Sequence, residues 1–350
     1  MLRIPISMQL TLDQIIDIQI YYTIGPEPFC NNCSFNWDSE NGHDLIWTNS
    51  QPYFAREWWP CKDYPYDKID SLDIKVTVPE NLVVASNGKL MAEINNGDGT
   101  KTYHWYESYP IATYLFSLSI YPFFYWEDEY ISANNDTVPI MFYTFNDTNN
   151  SSPYYLVANY KKTKPMMYAF VDMFGEYPFL GEKYGHAEWG LNYGMEHQTL
   201  TSMGDPTTRR VAHELAHMWW GDMITLNSYH HMWLNEGFGR YAEALWQEHV
   251  GGVNAYRSTI ASYEYYGSGT IYVEDPEHDN VFHFNLEYNK GAWVVHMLRR
   301  VLGDSTFFAC LKTYGAHPDH RFKTATTEQF RDICESVSGQ DLDQYFQQWI

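Results

Sequence analysis

Basic residues are scarce in this 350-residue sequence, and long apolar runs are missing from it. Lysine and arginine total 22 against 44 acidic residues, which gives a formal net charge of −22. A surface this acidic repels phosphate backbones and anionic membranes, so we expect no nucleic acid among its partners. No window holds 18 consecutive apolar residues, so we predict no transmembrane segment. The acidity is interpreted mainly as a solubility feature, although it would also attract cationic groups such as peptide amino termini.

Cysteine is also rare, with five residues in the whole chain. Cys30 and Cys33 form a single CxxC pair, and a structural zinc site would need a second pair nearby. We therefore expect a local disulfide or free thiols at this pair. The first residues lack the basic region, apolar core and cleavage site of a signal peptide. A periplasmic or extracellular location is slightly favoured over the cytoplasm, and the sequence does not predict the oligomeric state.

Two regions of different character follow one another along the chain. Up to about residue 120 the sequence reads as strands, with alternation in IDSLDIKVTVP and an Asn-Gly turn in NLVVASNGKL. From about residue 155 apolar residues recur at helical spacing. We predict an α+β fold, with an N-terminal β domain over 1–121 and a mainly helical domain over 122–350. The opening stretch is predicted as one more strand, with alternate isoleucines on one face: Ile16, Ile18 and Ile20.

Three helices are predicted in the part of the chain that carries most of its histidines. In the first, DPTTRRVAHELAHMWWGD, Asp205 is the expected cap, Pro206 suits the first turn, and Gly221 is the expected end. The second helix runs from about residue 231 to 249, and the third begins just after Tyr288. The second helix has an apolar stripe: Leu234, Phe238, Tyr241, Ala242 and Leu245.

The first helix contains the pattern HExxH. Positions i and i+4 of a helix lie about 40° apart, so His213 and His217 project side by side and can bind one ion. Glu214 lies on the adjoining face, where it can contact a water at the metal without binding the metal itself. This arrangement is the reason that HExxH serves hydrolysis. The motif alone is suggestive, because an ordinary pair of helical histidines has the same spacing.

The third ligand decides the class of metal site. A metzincin needs glycine and histidine three and six residues after His217, where this chain has Trp220 and Met223. That class is therefore excluded.

Three later residues could complete the site by their chemistry. His230 and His231 precede the second predicted helix, and Glu236 lies on it, with eighteen residues between it and His217. On spacing alone, a ligand role for Glu236 and a position on a solvated helix face are equally plausible. The other polar residues of that face are Arg240, Glu243 and Gln247.

Further stretches separate these alternatives. HELAHMWWGD, WLNEGF, YGMEH and EYNKGAWVVHMLR together resemble the gluzincin aminopeptidases, the family of aminopeptidase N and leukotriene-epoxide hydrolase. The zinc motif of that family is HExxH, eighteen residues, then Glu in a NEGF-like context. Its exopeptidase motif is GxMEN, in which this chain has Tyr193 for the glycine and His197 for the asparagine. SQPYFAREWWPCKDYP also resembles a family segment, with Gln51 ten residues before Cys61.

The resemblance implies a zinc aminopeptidase with an N-terminal β domain and a thermolysin-like catalytic domain. It implies one Zn²⁺ per chain, held by His213, His217 and Glu236. It also implies Glu214 as the general base and Tyr288 as a hydrogen-bond donor to the oxyanion. The residues implied for binding a peptide with a free amino terminus are Gln51, Gly194, Met195 and Glu196.

Several alternatives stay open beside this interpretation. Glu243 either orients a zinc-binding histidine or is a solvated acid. A thermolysin-type endopeptidase usually has Asp four residues after the ligand glutamate, where this chain has Arg240. A catalytically inactive peptide-binding relative would typically lose the base or a ligand. The chain stops where the family's C-terminal helical domain would begin, so we expect a fragment or a two-domain form. Tyr193 is expected to narrow the substrate cleft.

Overall fold

The computed structural model describes residues 5, 9, 11–12, 14–25, 34–146 and 154–350. The predicted CxxC pair, Cys30 and Cys33, lies outside the described residues. The strand predicted at the start of the chain is wrong, because residues 14–25 pair with no described strand. Ile18 and Ile20 are exposed. Their alternation therefore buries no face, and a strand gains little stability without pairing or a buried face.

The β region forms two antiparallel sheets. Among the described residues, one sheet has the strand order β1-β2-β7-β4 and the other has the order β3-β6-β5. The strands are β1 Ser34–Glu40, β2 His43–Asn49, β3 Leu72–Pro79, β4 Val83–Ser86, β5 Lys89–Asn95, β6 Thr100–Glu107 and β7 Leu118–Tyr121. Asn41 and Gly42 both have positive φ in the tight turn between β1 and β2. This is the turn that suits a two-residue hairpin.

The Asn-Gly sequence at 87–88 joins the two sheets and does not close a hairpin. The strands on either side, β4 and β5, belong to different sheets. Gly88 has φ +73°, and a Cβ there would overlap the backbone of Tyr106. Glycine is therefore required at this crossing both for its conformation and for its small size.

The second region begins with a mixed five-stranded sheet among the described residues, in the order β11-β12-β10-β9-β8. Its strands are β8 Phe124–Ile131, β9 Thr137–Thr144, β10 Tyr184–Glu188, β11 Gly194–Met195 and β12 Thr201–Met203. Strand β11 is at the edge of the sheet and carries part of the YGMEH motif. A short pair, β13 Thr225–Leu226 and β14 Thr324–Ala325, lies later in the chain.

Helices make up most of the remainder. They are α1 Tyr154–Tyr160, α2 Thr163–Phe174, α3 Thr208–Ala216, α4 Trp233–Ala261, α5 Gly291–Leu302, α6 Asp304–Ala316, α7 Thr327–Ser338 and α8 Asp343–Trp349. A π-helical segment, Phe284–Lys290, leads directly into α5. The predicted α+β class, strands first and helices after, is confirmed. In the part of the chain that the structure describes, no helix has the length and apolarity needed to cross a membrane.

The ends of three predicted helices differ from the structure. Asp205 is not the cap of α3, because Thr207 has extended backbone and its side chain accepts a hydrogen bond from the Arg210 N–H. The same helix ends at Ala216, before Gly221. Helix α4 continues to Ala261 across a break at Gly252, which has φ +71°. Tyr288 lies inside the π-helical segment that precedes α5. The predicted apolar stripe of α4 is confirmed, since all five of its residues are buried.

Two large apolar cores and a third, small apolar cluster form among the described residues, and the smaller of the two cores joins the two regions. The larger core lies among the helices and one face of the five-stranded sheet. The smaller core lies in the β region and also takes residues from the five-stranded sheet and the segment that follows it: Tyr143, Ala187, Trp189, Met195 and Leu200. This shared core holds the end of β2 against β11, where a cleft opens. The domain boundary near residue 122 stays a prediction.

Candidate metal centre and substrate cleft

The two histidines of HExxH and Glu236 converge in the structure. His213 Nε2 lies 3.1 Å from Glu236 Oε2, and His217 Nε2 lies 3.7 Å from the same oxygen. One donor atom from each of the three residues lies within 4.8 Å of the others. Helix α3 supplies His213, its C-cap residue His217 supplies the second imidazole, and the first turn of α4 supplies the carboxylate. Two imidazole nitrogens and a carboxylate oxygen are the donor set of a catalytic zinc site.

Each histidine is oriented through its other ring nitrogen. His213 Nδ1 lies 3.1 Å from Glu243 Oε1, and His217 Nδ1 lies 2.9 Å from the carbonyl oxygen of Trp220. Both partners can only accept, so both Nδ1 atoms donate. The Nε2 atoms are thereby left as the lone-pair donors that face the centre.

The electrostatics of the centre favour a positive charge. Burial opposes ionisation of Glu236, yet the two imidazoles that hydrogen-bond to it hold its pKa down to about 2. Burial also opposes charge on His213, but Glu236 and Glu243 raise its pKa to about 9. For His217, burial is outweighed by Glu196 and Glu236, which raise its pKa to about 10. A pocket that stabilises positive charge in this way fits a divalent cation.

The alternative candidates for the third ligand lie elsewhere. His231 Nδ1 is 2.9 Å from Thr327 Oγ1, and His230 Nδ1 is 2.6 Å from the carbonyl oxygen of Val273. These contacts hold both histidines in a short 3-10 turn, away from the centre. The solvated-face interpretation of Glu236 is wrong, since this residue is only 3% exposed.

Glu243 is oriented in turn by residues that the sequence analysis did not place at the site. Arg240 Nη1 lies 3.0 Å and 2.9 Å from its two carboxylate oxygens, and the Tyr263 hydroxyl donates to Oε2 at 3.0 Å. Glu243 is 3% exposed, so it is not a solvated acid. The three-residue spacing of Arg240 and Glu243 on α4 was the available signal, because such pairs meet on a helix.

We expect Glu243→Gln to weaken zinc binding by about 10- to 100-fold, because the amide is a poorer acceptor for the His213 Nδ1 proton. Competition with a chelator of known affinity measures this change. Tyr263→Phe removes a single contact to the same carboxylate and is expected to have a smaller effect. An unchanged zinc affinity in Glu243→Gln would show that Glu243 does not support the centre.

Glu214 faces the cleft beside the metal centre. It is buried, and burial raises its pKa to about 7. A Cβ at Gly194 would overlap the Glu214 carboxylate, so glycine allows the main chain of β11 to pass directly against that group. Tyr288 lies beside the metal centre, and its ring is stacked on that of His213 with 6.0 Å between the ring centroids. Burial and nearby carboxylates, Glu236 first among them, raise the pKa of Tyr288 well above its ordinary value.

Glu196 and Gln51 meet across the junction of the two regions. Gln51 Nε2 donates to Glu196 Oε1 at 3.2 Å, and both side chains are buried. Oxygens of Glu196 and Glu214 and a ring nitrogen of His217 all lie within 4.8 Å of one another. A side-chain acid is therefore placed directly beside the metal centre, and burial raises the pKa of this acid.

The other residues of YGMEH have different environments. Met195 is buried in the shared core. His197 is completely buried, lies 2.8 Å from Ser202 Oγ through Nδ1, and has its pKa lowered to about 3 by burial. Tyr193 is 43% exposed, and its hydroxyl accepts from Asn49 Nδ2 at 3.3 Å. The expected effect of Tyr193 on the cleft is supported by its position, since its ring lines the opening.

All nine residues proposed for catalysis, metal binding and substrate binding meet at one cleft. The cleft has a volume of about 610 Å³, and all but one of the nine are lining residues. The exception is His217, which does not line the cleft but belongs to the group of three candidate metal ligands. Their roles stay predictions, but the structure brings together groups separated by up to 237 positions.

Comparisons with known proteins give matches to both regions of the chain. A family model described as "Peptidase family M1 domain" matches residues 195–349, and "Peptidase M1 N-terminal domain" matches residues 32–115. Aminopeptidase M1 of Arabidopsis thaliana is 28% identical over 327 residues, which cover 86% of this chain and 36% of that protein. Aminopeptidase N of Lactococcus lactis subsp. lactis is 27% identical over 341 residues, which cover 85% of this chain and 38% of that protein. The chain thus spans little more than a third of the length of these relatives.

Solved structures give the same result at the level of the fold. The M1 zinc metallopeptidase of Deinococcus radiodurans matches with a TM-score of 0.78 and 26% identity, over 93% of this chain and 73% of that chain. A mutant of that protein was solved with a Tyr-Ser-Ala substrate. The two family models together match more than half of the chain, in the expected order of β region and helical region. The chain therefore belongs to peptidase family M1, the gluzincin family that its motifs resemble.

Proposed function

We propose that this chain carries the active site of a zinc aminopeptidase, which hydrolyses the first peptide bond of peptides with a free amino terminus. The observation that carries the proposal is the position of Glu196 within 4.8 Å of atoms of Glu214 and His217. A peptide advances by at most about 3.6 Å per residue. An ammonium group bound to Glu196 can therefore be separated from the hydrolytic centre by only one residue.

The amino terminus is recognised by a charged and a neutral group. Glu196 accepts charge-assisted hydrogen bonds from the ammonium, and Gln51 holds that carboxylate and offers its amide oxygen to the same group. Strand β11, at the sheet edge, presents its main chain beside Glu214, where an extended peptide can align. These contacts orient the first carbonyl at the metal centre, which converts binding energy into positioning.

His213, His217 and Glu236 would hold zinc, since their donor set and the charge of the pocket fit it. When bound, zinc supplies a Lewis acid that polarises the scissile carbonyl and activates water. Glu214 takes the proton of the attacking water on a carboxylate oxygen and passes it to the leaving amine nitrogen as the carbon–nitrogen bond breaks. The Tyr288 hydroxyl donates a hydrogen bond to the carbonyl oxygen as negative charge develops there.

The endopeptidase alternative fits the cleft less well. An endopeptidase must accommodate substrate residues on both sides of the cleaved bond. Here the buried pair of Gln51 and Glu196 occupies the side where residues before the bond would lie. An inactive relative is also disfavoured, because every group needed for hydrolysis faces the same cleft.

The test measures kcat/KM for a free peptide and for its N-acetylated form, with the unaltered protein and with the Glu196→Ala variant. A charge-assisted hydrogen bond contributes about 1.5–3 kcal/mol, so Glu196→Ala is expected to reduce kcat/KM for a free peptide by roughly 10- to 150-fold. The N-acetylated peptide should be a poor substrate of the unaltered protein and should lose little more in the variant. Glu196→Gln, which keeps the size of the side chain, controls for its packing. Equal losses on both peptides would indicate a structural role for Glu196 and would favour the endopeptidase.

A further inference from the structure

Three arginines line the cleft among the described residues, in a chain of net charge −22. Two of them are already engaged. Arg240 is bound to Glu243 and Asn289, and its guanidinium lies 4.0 Å from the centre of the Tyr263 ring. Arg210 donates to the backbone oxygen of Asp205 and lies 3.9 Å from its carboxylate. Both guanidinium groups therefore already have a carboxylate within 4.0 Å.

Arg209 differs from both. It is exposed, it lines the cleft, and it forms no ion pair within the ranges 34–146 and 154–350 or with the shorter described segments. Arg209 therefore neutralises no carboxylate of its own helix through an ion pair. Its five N–H donors are available to a group that enters the cleft.

The position of Arg209 indicates which part of a substrate it meets. It precedes His213 by one turn on the same face of α3. The charge of Arg209 acts on Tyr263, whose hydroxyl donates to Glu243, the partner of His213 Nδ1. Glu196 lies instead against His217 and Glu214, at the other histidine of the centre. A peptide anchored at Glu196 therefore directs the residue after the cleaved bond towards Arg209.

We propose that Arg209 selects substrates with a carboxylate on the residue that follows the cleaved bond. This assignment rests on the proposed aminopeptidase function and specifies its substrate class. A guanidinium binds a carboxylate through two parallel hydrogen bonds, and lysine cannot reproduce this geometry. The carboxylate comes either from an Asp or Glu side chain or from the free carboxyl terminus of a dipeptide. Arg209 offsets locally the repulsion that the acidic surface exerts on such peptides.

The first experiment compares dipeptides of one series, Ala-Glu, Ala-Gln and Ala-Lys, each as the free acid and as the carboxyl-terminal amide. In the unaltered protein kcat/KM is expected to be higher for Ala-Glu amide than for Ala-Gln amide if the side chain is recognised. It should be higher for Ala-Gln acid than for its amide if the carboxyl terminus is recognised. Exposed ion pairs contribute modestly, so Arg209→Gln should reduce the relevant ratio by about 1.5-fold to fivefold. Arg209→Lys should restore part of it.

Arg210→Gln is the matched control, because it removes the positive charge of the neighbouring residue and keeps that of Arg209. It is expected to leave both ratios unchanged. The effect of Arg209 should weaken in high salt, since the site is open to solvent. Unchanged ratios in Arg209→Gln, or equal changes in the two variants, would overturn the assignment of Arg209.

A binding measurement separates this inference from the proposed function. In the Glu214→Gln protein, calorimetry gives the Kd of the same peptides without turnover. The inference is supported if Ala-Glu amide binds more tightly than Ala-Gln amide, or if a free acid binds more tightly than its amide. In either case the difference in Kd should disappear when Arg209→Gln is added, even where hydrolysis is slow. Binding with no preference would overturn the inference while the aminopeptidase assay still stands. Absence of cleavage of every peptide by the unaltered protein would overturn the proposed function instead.

Discussion

Glu214→Gln is expected to lower kcat for a free peptide by at least about 10²-fold while zinc content stays the same. The substitution keeps the size of the side chain, and it leaves the three residues that supply the donor atoms unchanged: His213, His217 and Glu236. The amide cannot accept the proton of the attacking water, nor can it return a proton to the leaving amine.

The measurement is steady-state kinetics together with metal analysis on the same preparation. Glu264→Gln is the control, because Glu264 is exposed and does not line the cleft. Near-normal turnover by Glu214→Gln would exclude Glu214 as the base. A loss of zinc in the variant would show that Glu214 supports the centre, and the kinetic result would then have another cause.

The second large effect is expected for Glu236→Ala. This change removes one of three donors and leaves His213 and His217 facing a centre without its carboxylate. Loss of a group that only supports a ligand already costs about 10- to 100-fold in metal affinity. Loss of Glu236 itself should therefore cost more, and activity should fall to the level of the chelator-treated protein.

His231→Ala is the informative comparison for Glu236. His231 has the chemistry of a ligand, but its ring is bound to Thr327 and is directed away from the centre. We expect this variant to retain about one zinc per chain after dialysis, and to lose at most some stability through the missing contact. Zinc retained by Glu236→Ala and lost by His231→Ala would show that the third ligand is wrongly assigned.

Local patterns were sufficient where one element carries the whole signal. The i, i+4 spacing of HExxH indicated two adjacent histidines, and α3 places them so. The apolar stripe of α4 was predicted correctly because its period reports burial directly. The start of the chain shows the limit of such patterns. Its alternating isoleucines predicted a strand, but a strand also requires a partner, and residues 14–25 have none among those described.

The residues that surround His213 show a different limit of prediction from sequence. Arg240 was grouped with a solvated helix face, and Glu243 was left as either a solvated acid or the partner of a zinc-binding histidine, because helical periodicity gives the relative direction of side chains but not what covers them. In the structure α3 packs on that face, and His213 is brought within hydrogen-bonding distance of Glu243. This contact buries Glu243 and allows it to orient His213.

The sequence by itself determined the class of this protein: two histidines and a glutamate on one helix, a carboxylate at fixed spacing on the next, and motifs shared with a known family. Helix geometry alone places His213, Glu214 and His217 relative to one another. Tertiary structure decided which of three later candidates faces the histidines and which acid lies one residue's length from the centre. It also decided which arginine of the cleft forms no ion pair among the described residues. These outcomes depend on contacts between Gln51 and Glu196, 145 positions apart, and between helices α3 and α4. Such contacts are fixed by how apolar faces pack, and no short stretch of sequence contains that information.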